Sequence, residues 1–300
     1  MSKLIITMGD PAGIGSEIIN KALADKAFNQ IDNLEIFGEA DLLPNVKVPV
    51  RSFGVAPKDI KMGQVNAQCG HAAYVYLEAA IKECLAGRAD GIVTAPLHKE
   101  ALNLAGHKYP GHTEILAEKS GVQDFVMLLA WPKFAVSHIT THVPVRQAVD
   151  LITQEKILTI TKITNQAMSK IHGSNTPIAV AALNPHGGEN GLLGLEEIET
   201  IIPAVETLQA QGLNVKGPFP ADTAFHRAWQ GEFKAVIAML HDHGHIAGKL
   251  VDFDLGVNCT LGLPFVRTSV GHGTGFDIAG KGLANPQSLI SAIEMAFKLL

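Results

Sequence analysis

Histidine follows the end of several segments in this chain that read as strands, and its chemistry is concentrated there. Phe134–Thr140 runs into Thr141-His142, Ile178–Leu183 into Asn184-Pro185-His186-Gly187-Gly188, and Ala235–Leu240 into His241-Asp242-His243-Gly244-His245. Three imidazoles delivered to one sheet edge, with one coordination position left open, are the ligand set of a catalytic divalent-metal site. His243 and His245 compete with His241, because the spacing His241-x-His243-x-His245 puts alternate side chains on one side of an extended segment. His138 competes with His142, although its place inside a strand suits core packing. Asp222 and Asp242 suit a proton-accepting base or a carboxylate that orients a metal-bound imidazole. Each equally suits a cap or turn.

Groups that bind anions follow the last His cluster: Lys249, Asn258 and Arg267. Arg267 stands in the otherwise apolar run Leu261–Val270, so its charge calls for a partner or a ligand. Arginine suits bidentate phosphate or carboxylate recognition, and lysine a point contact. The stretch Gly256–Pro286 carries seven glycines up to Gly282 and reads as one ligand loop, with backbone open to close approach around His272, Thr274 and Asp277. Its end, Asn285-Pro286, is a helix-start pair.

These groups need strands and helices to position them. Leu4–Thr7, Leu34–Phe37, Gly91–Thr94, Phe125–Leu129, Phe134–Thr140, Ile178–Leu183 and Ala235–Leu240 read as buried strands. Ile14–Leu23, Val65–Leu85, Glu155–Ile171, Leu195–Ala210 and Pro286–Leu299 carry helical periodicity. Gly87 and Gly212 lie where helices should stop. The alternation predicts an α/β fold with a largely parallel sheet, whose ligands bind beyond the carboxyl ends of strands. The turn Gly9–Gly15, GDPAGIG, follows a strand and opens a helix, yet lacks the full dinucleotide fingerprint spacing and its acidic partner. It reads as a tight strand-to-helix turn.

At 300 residues the chain is at the upper limit for one core, so two lobes are expected. A net charge of −5 without a basic block excludes a nucleic-acid partner. No apolar run approaches the roughly 18 residues of a membrane span. The start, MSKLIITMGD, is too weakly apolar for a signal peptide. Cys69, Cys84 and Cys259 are scattered and in no metal spacing, which fits a reducing cytoplasm.

The segment HGTGFDIAGKGLANP, His272 to Pro286, resembles the nucleotide-binding loop of the isocitrate and isopropylmalate dehydrogenase superfamily. The ordered motifs MGDPAGIGSE, TAPLHKEAL, YPGHTEIL, TTHVPV, LNPHGGENG, GPFPADTAF, HDHGH and GVNCTLGLPFVRTSV resemble the 4-hydroxythreonine-4-phosphate dehydrogenase family, from Ile5 to the C-terminus. The resemblance implies two α/β/α lobes with a cleft between them: residues 1–125 plus 250–300 as the cofactor-binding lobe, and 126–249 as the metal, substrate and dimerisation lobe. It implies metal ligands at His142, His186 and His241, thereby choosing His241 over His243 and His245. Substrate contacts fall on His112, Thr113, Lys249, Asn258 and Arg267, and cofactor contacts on His272, Gly273, Thr274, Asp277 and Asn285. Asp222, Asp242 and Lys249 take the catalytic positions. A homodimer is implied, with metal ligands from both subunits.

The reaction so implied is metal-dependent oxidation by NAD of 4-hydroxythreonine 4-phosphate, followed by decarboxylation, as in pyridoxal phosphate biosynthesis. The alternative substrate is D-threonate or D-erythronate 4-phosphate, as in sugar-acid catabolism. HDHGH stands where many biosynthetic members have HDQGL, and Gly271 where an Asp commonly precedes His-Gly-Thr. The HGHI and FDIAGKG spellings are closer to the catabolic branch. Asp277 faces the ribose position, where a carboxylate favours NAD over NADP. Three imidazoles suit zinc, while nearby oxygens admit magnesium, manganese or cobalt. A metal-dependent phosphatase is the competing class.

Overall fold

The computed structural model describes residues 2–24, 33–252 and 255–300. In chain order the elements are β1 Leu4–Thr7, α1 Gly15–Leu23, β2 Leu34–Gly38, β3 Val50–Ser52, α2 Ala67–Leu85, β4 Gly91–Thr94, α3 Lys99–Leu104 and α4 His112–Ser120. There follow β5 Val126–Ala130, β6 Ala135–His138, α5 Val145–Asp150, α6 Gln154–His172, β7 Ile178–Ala181, α7 Ile202–Ala210, β8 Val215–Phe219 and α8 Ala221–Trp229. The chain ends with β9 Ala235–Ala238, α9 His241–Val251, β10 Val257–Leu261, β11 Val266–Val270 and α10 Gln287–Leu299. It divides into two compact units, Met1–Gln123 with Leu263–Leu300, and Asp124–Gly262.

In the first unit the strands lie in the order β3-β2-β1-β4-β11. All its pairings are parallel. β1 (LIIT) and β4 (GIVT) are buried at every position, as parallel strands covered on both faces must be. The Asn66 side chain accepts from the Gln68 and Cys69 amides and so fixes the start of α2. Gly87, at φ +68°, turns the chain out of that helix, a backbone that costs glycine nothing.

In the second unit the order is β10-β5-β6-β9-β7-β8. β6, β9, β7 and β8 run parallel, while β5 is antiparallel to both of its neighbours, so this half is mixed rather than largely parallel. Phe233, Val136, Val236 and Ala238 are fully buried in its core beside Trp131 and Phe134. Each large apolar side chain so buried contributes about 1.5–3 kcal/mol. The stretch 250–262, expected with the first lobe, belongs to the second, because β10 pairs with β5 from Val257↔Ala130 to Leu261↔Val126.

The structure also corrects the single ligand loop expected over Gly256–Pro286. That stretch contains β10 and β11, joined by a short irregular connection at 262–265, and the longer irregular chain begins after Val270. Glycine clusters misled there because Gly256 and Gly262 flank β10 rather than interrupt it. Among the described residues, no helix is long and apolar enough to cross a membrane.

Candidate functional site

In the second unit, β6, β9 and β7 are parallel neighbours whose registers align His138 with Ala238 and Val180 with Ile237. Their carboxyl ends therefore share one edge, and the loops bearing His142, His241 and His186 all leave from it. The Thr140 hydroxyl donates to the Met239 carbonyl at 2.7 Å, joining the ends of β6 and β9. The rings of His142 and His241 lie 5.6 Å apart. Both line a pocket of about 340 Å³ with Thr140, Leu240 and Asp242.

His241 Nδ1 lies 2.7 Å from Asp242 Oδ1. A carboxylate only accepts, so Nδ1 donates, and in the neutral ring this leaves on Nε2 the lone pair that a metal ligand needs. That hydrogen bond holds the Asp242 carboxyl below its ordinary range.

HDHGH does not run extended, because His241 opens helix α9. His241 and His245 are therefore one turn apart and stack at 3.7 Å, while His243, two residues on, lies off that face. Beneath them His138 is buried, its ring 4.8 Å from His245 and 6.0 Å from His241. Burial first, then the neighbouring imidazoles, lowers His138 to about 3. Burial and His241 lower His245 to about 4. These two imidazoles are uncharged at neutral pH.

His186 is exposed and sits at φ 54°, the first of five successive residues, His186 to Asn190, in the left-handed region. His186, Glu189 and Asn190 each hold this backbone at a cost of about 1–2 kcal/mol. Such strain clusters at functional sites. His142 and His241 come together, but His186 does not join them in one group: among the described residues, no three His, Cys, Asp or Glu side chains are placed to hold a metal ion.

The remaining sequence-expected residues of this unit are more dispersed. Asp222, exposed in the first turn of α8, accepts from its neighbour Thr223 through the amide at 2.7 Å and the hydroxyl at 3.3 Å. Lys249 is exposed one turn beyond His245, and its charge helps to hold that imidazole neutral. Asn258 is half-buried on β10, and among the described residues its Oδ1 has no hydrogen-bond donor.

The first unit repeats the plan with β1, β4 and β11. Their carboxyl ends deliver Gly9–Gly15, Ala95–Lys99 and the loop from Gly271 to Asn285. These three loops are laced together. The Asp10 amide donates to the Pro96 carbonyl at 2.9 Å, and the Ile14 amide to the Thr274 carbonyl at 3.0 Å. His98 stacks on Phe276 at 4.5 Å. A Cβ at Gly9 would lie 2.1 Å from the Pro96 oxygen, so only glycine admits this approach. Lys21 donates to the Gly282 and Ala284 carbonyls at 2.8 and 2.7 Å, closing the far end of the loop.

Within that loop Thr274 is buried and Gly273 exposed. His272 Nδ1 lies 2.9 Å from the Gly273 carbonyl, while its buried Nε2 has no partner among the described residues. Asp277 is exposed, and its main-chain carbonyl accepts from Lys281 Nζ at 2.7 Å. Asn285 Oδ1 accepts from the Gln287 amide at 3.0 Å from just outside α10, whose cap position is held by Pro286, so the helix starts one residue later than expected.

Arg267 is 3% exposed on β11 and donates to the Thr94 hydroxyl at 2.8 Å. His112 opens α4, with Thr113 beside it. Burial, with the charges of Arg267 and Lys99, pushes the His112 imidazole well below its ordinary range. Arg267, Lys99 and His112 thus converge at a helix N-terminus, an environment suited to an anion.

A family model described as "Pyridoxal phosphate biosynthetic protein PdxA" matches residues 3–296. The chain belongs to the PdxA family. It is 41% identical over 325 residues to the D-threonate 4-phosphate dehydrogenase of Pectobacterium atrosepticum, covering 100% of both chains. It is 41% identical over 322 residues to the 4-hydroxythreonine-4-phosphate dehydrogenase of Geobacter metallireducens, covering 99% of this chain and 95% of that one. The crystal structure of 4-hydroxythreonine-4-phosphate dehydrogenase from Klebsiella pneumoniae superposes with a TM-score of 0.89 at 40% identity, over 100% of this chain and 99% of that one. A β-decarboxylating dehydrogenase of Thermococcus kodakarensis, 15% identical with a TM-score of 0.59, shares the fold alone and covers 100% of this chain and 84% of that one.

Sequence reasoning missed three residues of this PdxA-family chain. Lys99 was legible only as part of TAPLHK at a strand end. Asp10 is fully buried, and burial pushes its carboxyl up to about 6 against the pull of the Ala12 amide and His98. Glu197 is 1% exposed inside a π-helical turn, Glu197–Ile201, that leads into α7. No motif pointed to it; a Glu at a buried helical position was the available signal.

Proposed function

We propose that this PdxA-family chain is a metal-dependent NAD dehydrogenase. It would oxidise the 3-hydroxyl of a phosphorylated four-carbon hydroxy acid, and the resulting β-keto acid would lose its carboxylate. The observation that carries this reading is the pairing of His142 and His241 in one pocket, with Asp242 fixing the His241 tautomer. The donor set fits a borderline-soft divalent ion, zinc above all, with His186 as third ligand. His272 Nε2, without a partner among the described residues, and the glycine-lined chain beside it fit the adenosine end of NAD.

When bound, the metal would supply Lewis acidity toward the reacting hydroxyl, and the nicotinamide cofactor would supply a hydride acceptor. Asp242 is committed to His241, so it orients that ring and leaves Asp222 to take the hydroxyl proton. Arg267, Lys99, His112 and Thr113 bind the phosphate. Lys249 and Asn258 hold the carboxylate end in register. Gly273, Thr274 and Asn285 shape the path of the cofactor, and Asp277 accepts from the ribose hydroxyls and repels a 2′-phosphate.

A homodimer is part of this reading. Leu192 is 82% exposed and Leu250 85%, with Leu193, Leu195, Ile198, Ile246 and Val251 also exposed. These apolar stretches, 192–198 and 246–251, adjoin His186 and His241 in the chain. Apolar surface of this kind marks an interface, and a second copy covering it can bring a third imidazole to the pair.

Relatives named for D-threonate 4-phosphate and for 4-hydroxythreonine 4-phosphate match at equal identity. The HDHGH and FDIAGKG spellings favour D-threonate 4-phosphate. Assay of 4-hydroxythreonine, D-threonate and D-erythronate 4-phosphates side by side, with zinc and NAD, tests this. The highest kcat/KM is expected for D-threonate 4-phosphate. A preference for 4-hydroxythreonine 4-phosphate would overturn the narrower reading, and phosphate release without NADH would overturn the broader one.

A further inference from the structure

The left-handed turn that carries His186 needs an anchor, because every residue from His186 to Asn190 has φ between 46° and 78°. The anchor is visible on its N-terminal side. Glu197 Oε1 accepts from the Leu183 and Asn184 amides, both at 2.8 Å. Its Oε2 accepts from Asn184 Nδ2 at 2.9 Å. Asn184 Nδ2 also donates to Glu196 Oε2 at 2.7 Å. A carboxylate that is 1% exposed thus takes three N–H bonds from the two residues that precede Pro185-His186.

The same carboxylate shapes the turn from within. A Cβ at Gly188 would lie 2.7 Å from Glu197 Oε2, and one at Gly194 would lie 2.5 Å from Asn184 Nδ2. Gly188 thus lies against Glu197 and Gly194 against Asn184 and Glu196, and their φ of +78° and +136° suit glycine at both places. Cutting the three bonds frees both the end of β7 and the turn, and a left-handed run of non-glycine residues relaxes when nothing over-determines it.

We propose that Glu197 is a positioning residue for His186: it holds the strained turn in the one backbone conformation that presents this imidazole at the sheet edge. The inference rests on the reading of His186 as a metal ligand. Removing a group that holds a metal ligand in place weakens metal affinity by about ten- to a hundredfold, which sets the expected scale.

The test is zinc affinity by competition with a chromophoric chelator, read with amide hydrogen exchange over 183–191, for wild type, Glu197→Ala, Glu197→Gln and His186→Ala. Glu197→Ala should weaken zinc by about tenfold or more and speed exchange in that segment. Glu197→Gln, whose amide oxygen still accepts from both backbone amides, should restore most of the affinity. The double variant Glu197→Ala/His186→Ala should bind no more weakly than His186→Ala alone, because the two act through one ligand. Wild-type zinc affinity in Glu197→Ala, with affinity lost in His186→Ala, overturns the role of Glu197 and leaves the His186 reading standing. Wild-type affinity in His186→Ala overturns that reading and this inference with it. If Glu197→Ala fails to fold, Glu197→Asp carries the same test: its shorter reach predicts weaker zinc binding, and unchanged affinity overturns the proposal.

Discussion

The two units use the same device with opposite degrees of completion. In each, three adjacent parallel strands end at one edge and deliver three loops, β1, β4 and β11 in the first and β6, β9 and β7 in the second. In the first unit the loops bond to one another, through Ile14 to Thr274 and Asp10 to Pro96, and Lys21 clamps the far end. In the second, His142 and His186 are exposed and apolar side chains stand uncovered at 192–198 and 246–251. A site that binds a large cofactor can be preformed by one chain's backbone. On the function proposed above, a second copy of the chain would finish the open edge, and that contrast can be broken at either edge.

The largest effect is expected at the open edge. His241→Ala or His186→Ala should lower kcat/KM by about a thousandfold or more and cut bound metal, since the Lewis acid is lost with its ligand. Steady-state kinetics with metal analysis checks this. Next, Leu250→Asp should halve the mass in analytical ultracentrifugation and lower activity by about a hundredfold, since a charge in an apolar interface is desolvated without a partner. A monomeric variant with full activity would show that each chain completes its own site.

The third prediction concerns pH. His138 is depressed from 6.5 to about 3 in the fold, and His245 from 6.5 to about 4. Between those values and 6.5 the unfolded chain binds more protons at these two rings, so their contribution to the stability of the metal-free protein rises with pH across that window, while Asp10, raised to about 6, contributes with the opposite sign below that value. The contribution of the two rings is full above 6.5 and is lost as pH falls toward the folded values. Urea unfolding at successive pH values should show a contribution of up to about 1.4 kcal/mol per pH unit from the buried His138 and a smaller one from the half-exposed His245. His138→Leu should flatten the slope, and an unchanged slope would count against the buried neutral imidazole. The smallest effect belongs to the closed edge. Asp277→Ala should narrow the preference for NAD over NADP by about tenfold, roughly 1.4 kcal/mol, with metal affinity unchanged. A wild-type preference of tenfold or more for NADP would remove the role given to Asp277.

The contrast between the edges also explains what could be read from sequence. β1, β4, β7 and β9 are short, continuous apolar runs ending in polar residues, and parallel strands buried on both faces impose that pattern. Helix α9 was hidden, because glycines in HDHGHIAGK lower helix propensity and read as loop. The structure gives them another reason. A Cβ at Gly248 would lie 1.9 Å from the Trp131 ring, and one at Gly244 2.4 Å from His138 Nε2. The helix packs so closely that these positions must lack a side chain. β10 and β11 were hidden by the glycines around them. Glu197 was illegible because its work is done by long-range hydrogen bonds to Leu183 and Asn184, which leave no periodic trace.

In the proposed function, metal and dinucleotide serve one reaction. Its most direct test is NADH formation from phosphorylated hydroxy acid by the purified protein, before chelation, after chelation, and after zinc is restored. NADH formation with release of carbon dioxide is expected, with loss of both on chelation and their recovery with zinc. Undiminished NADH formation by fully metal-stripped protein would contradict that function.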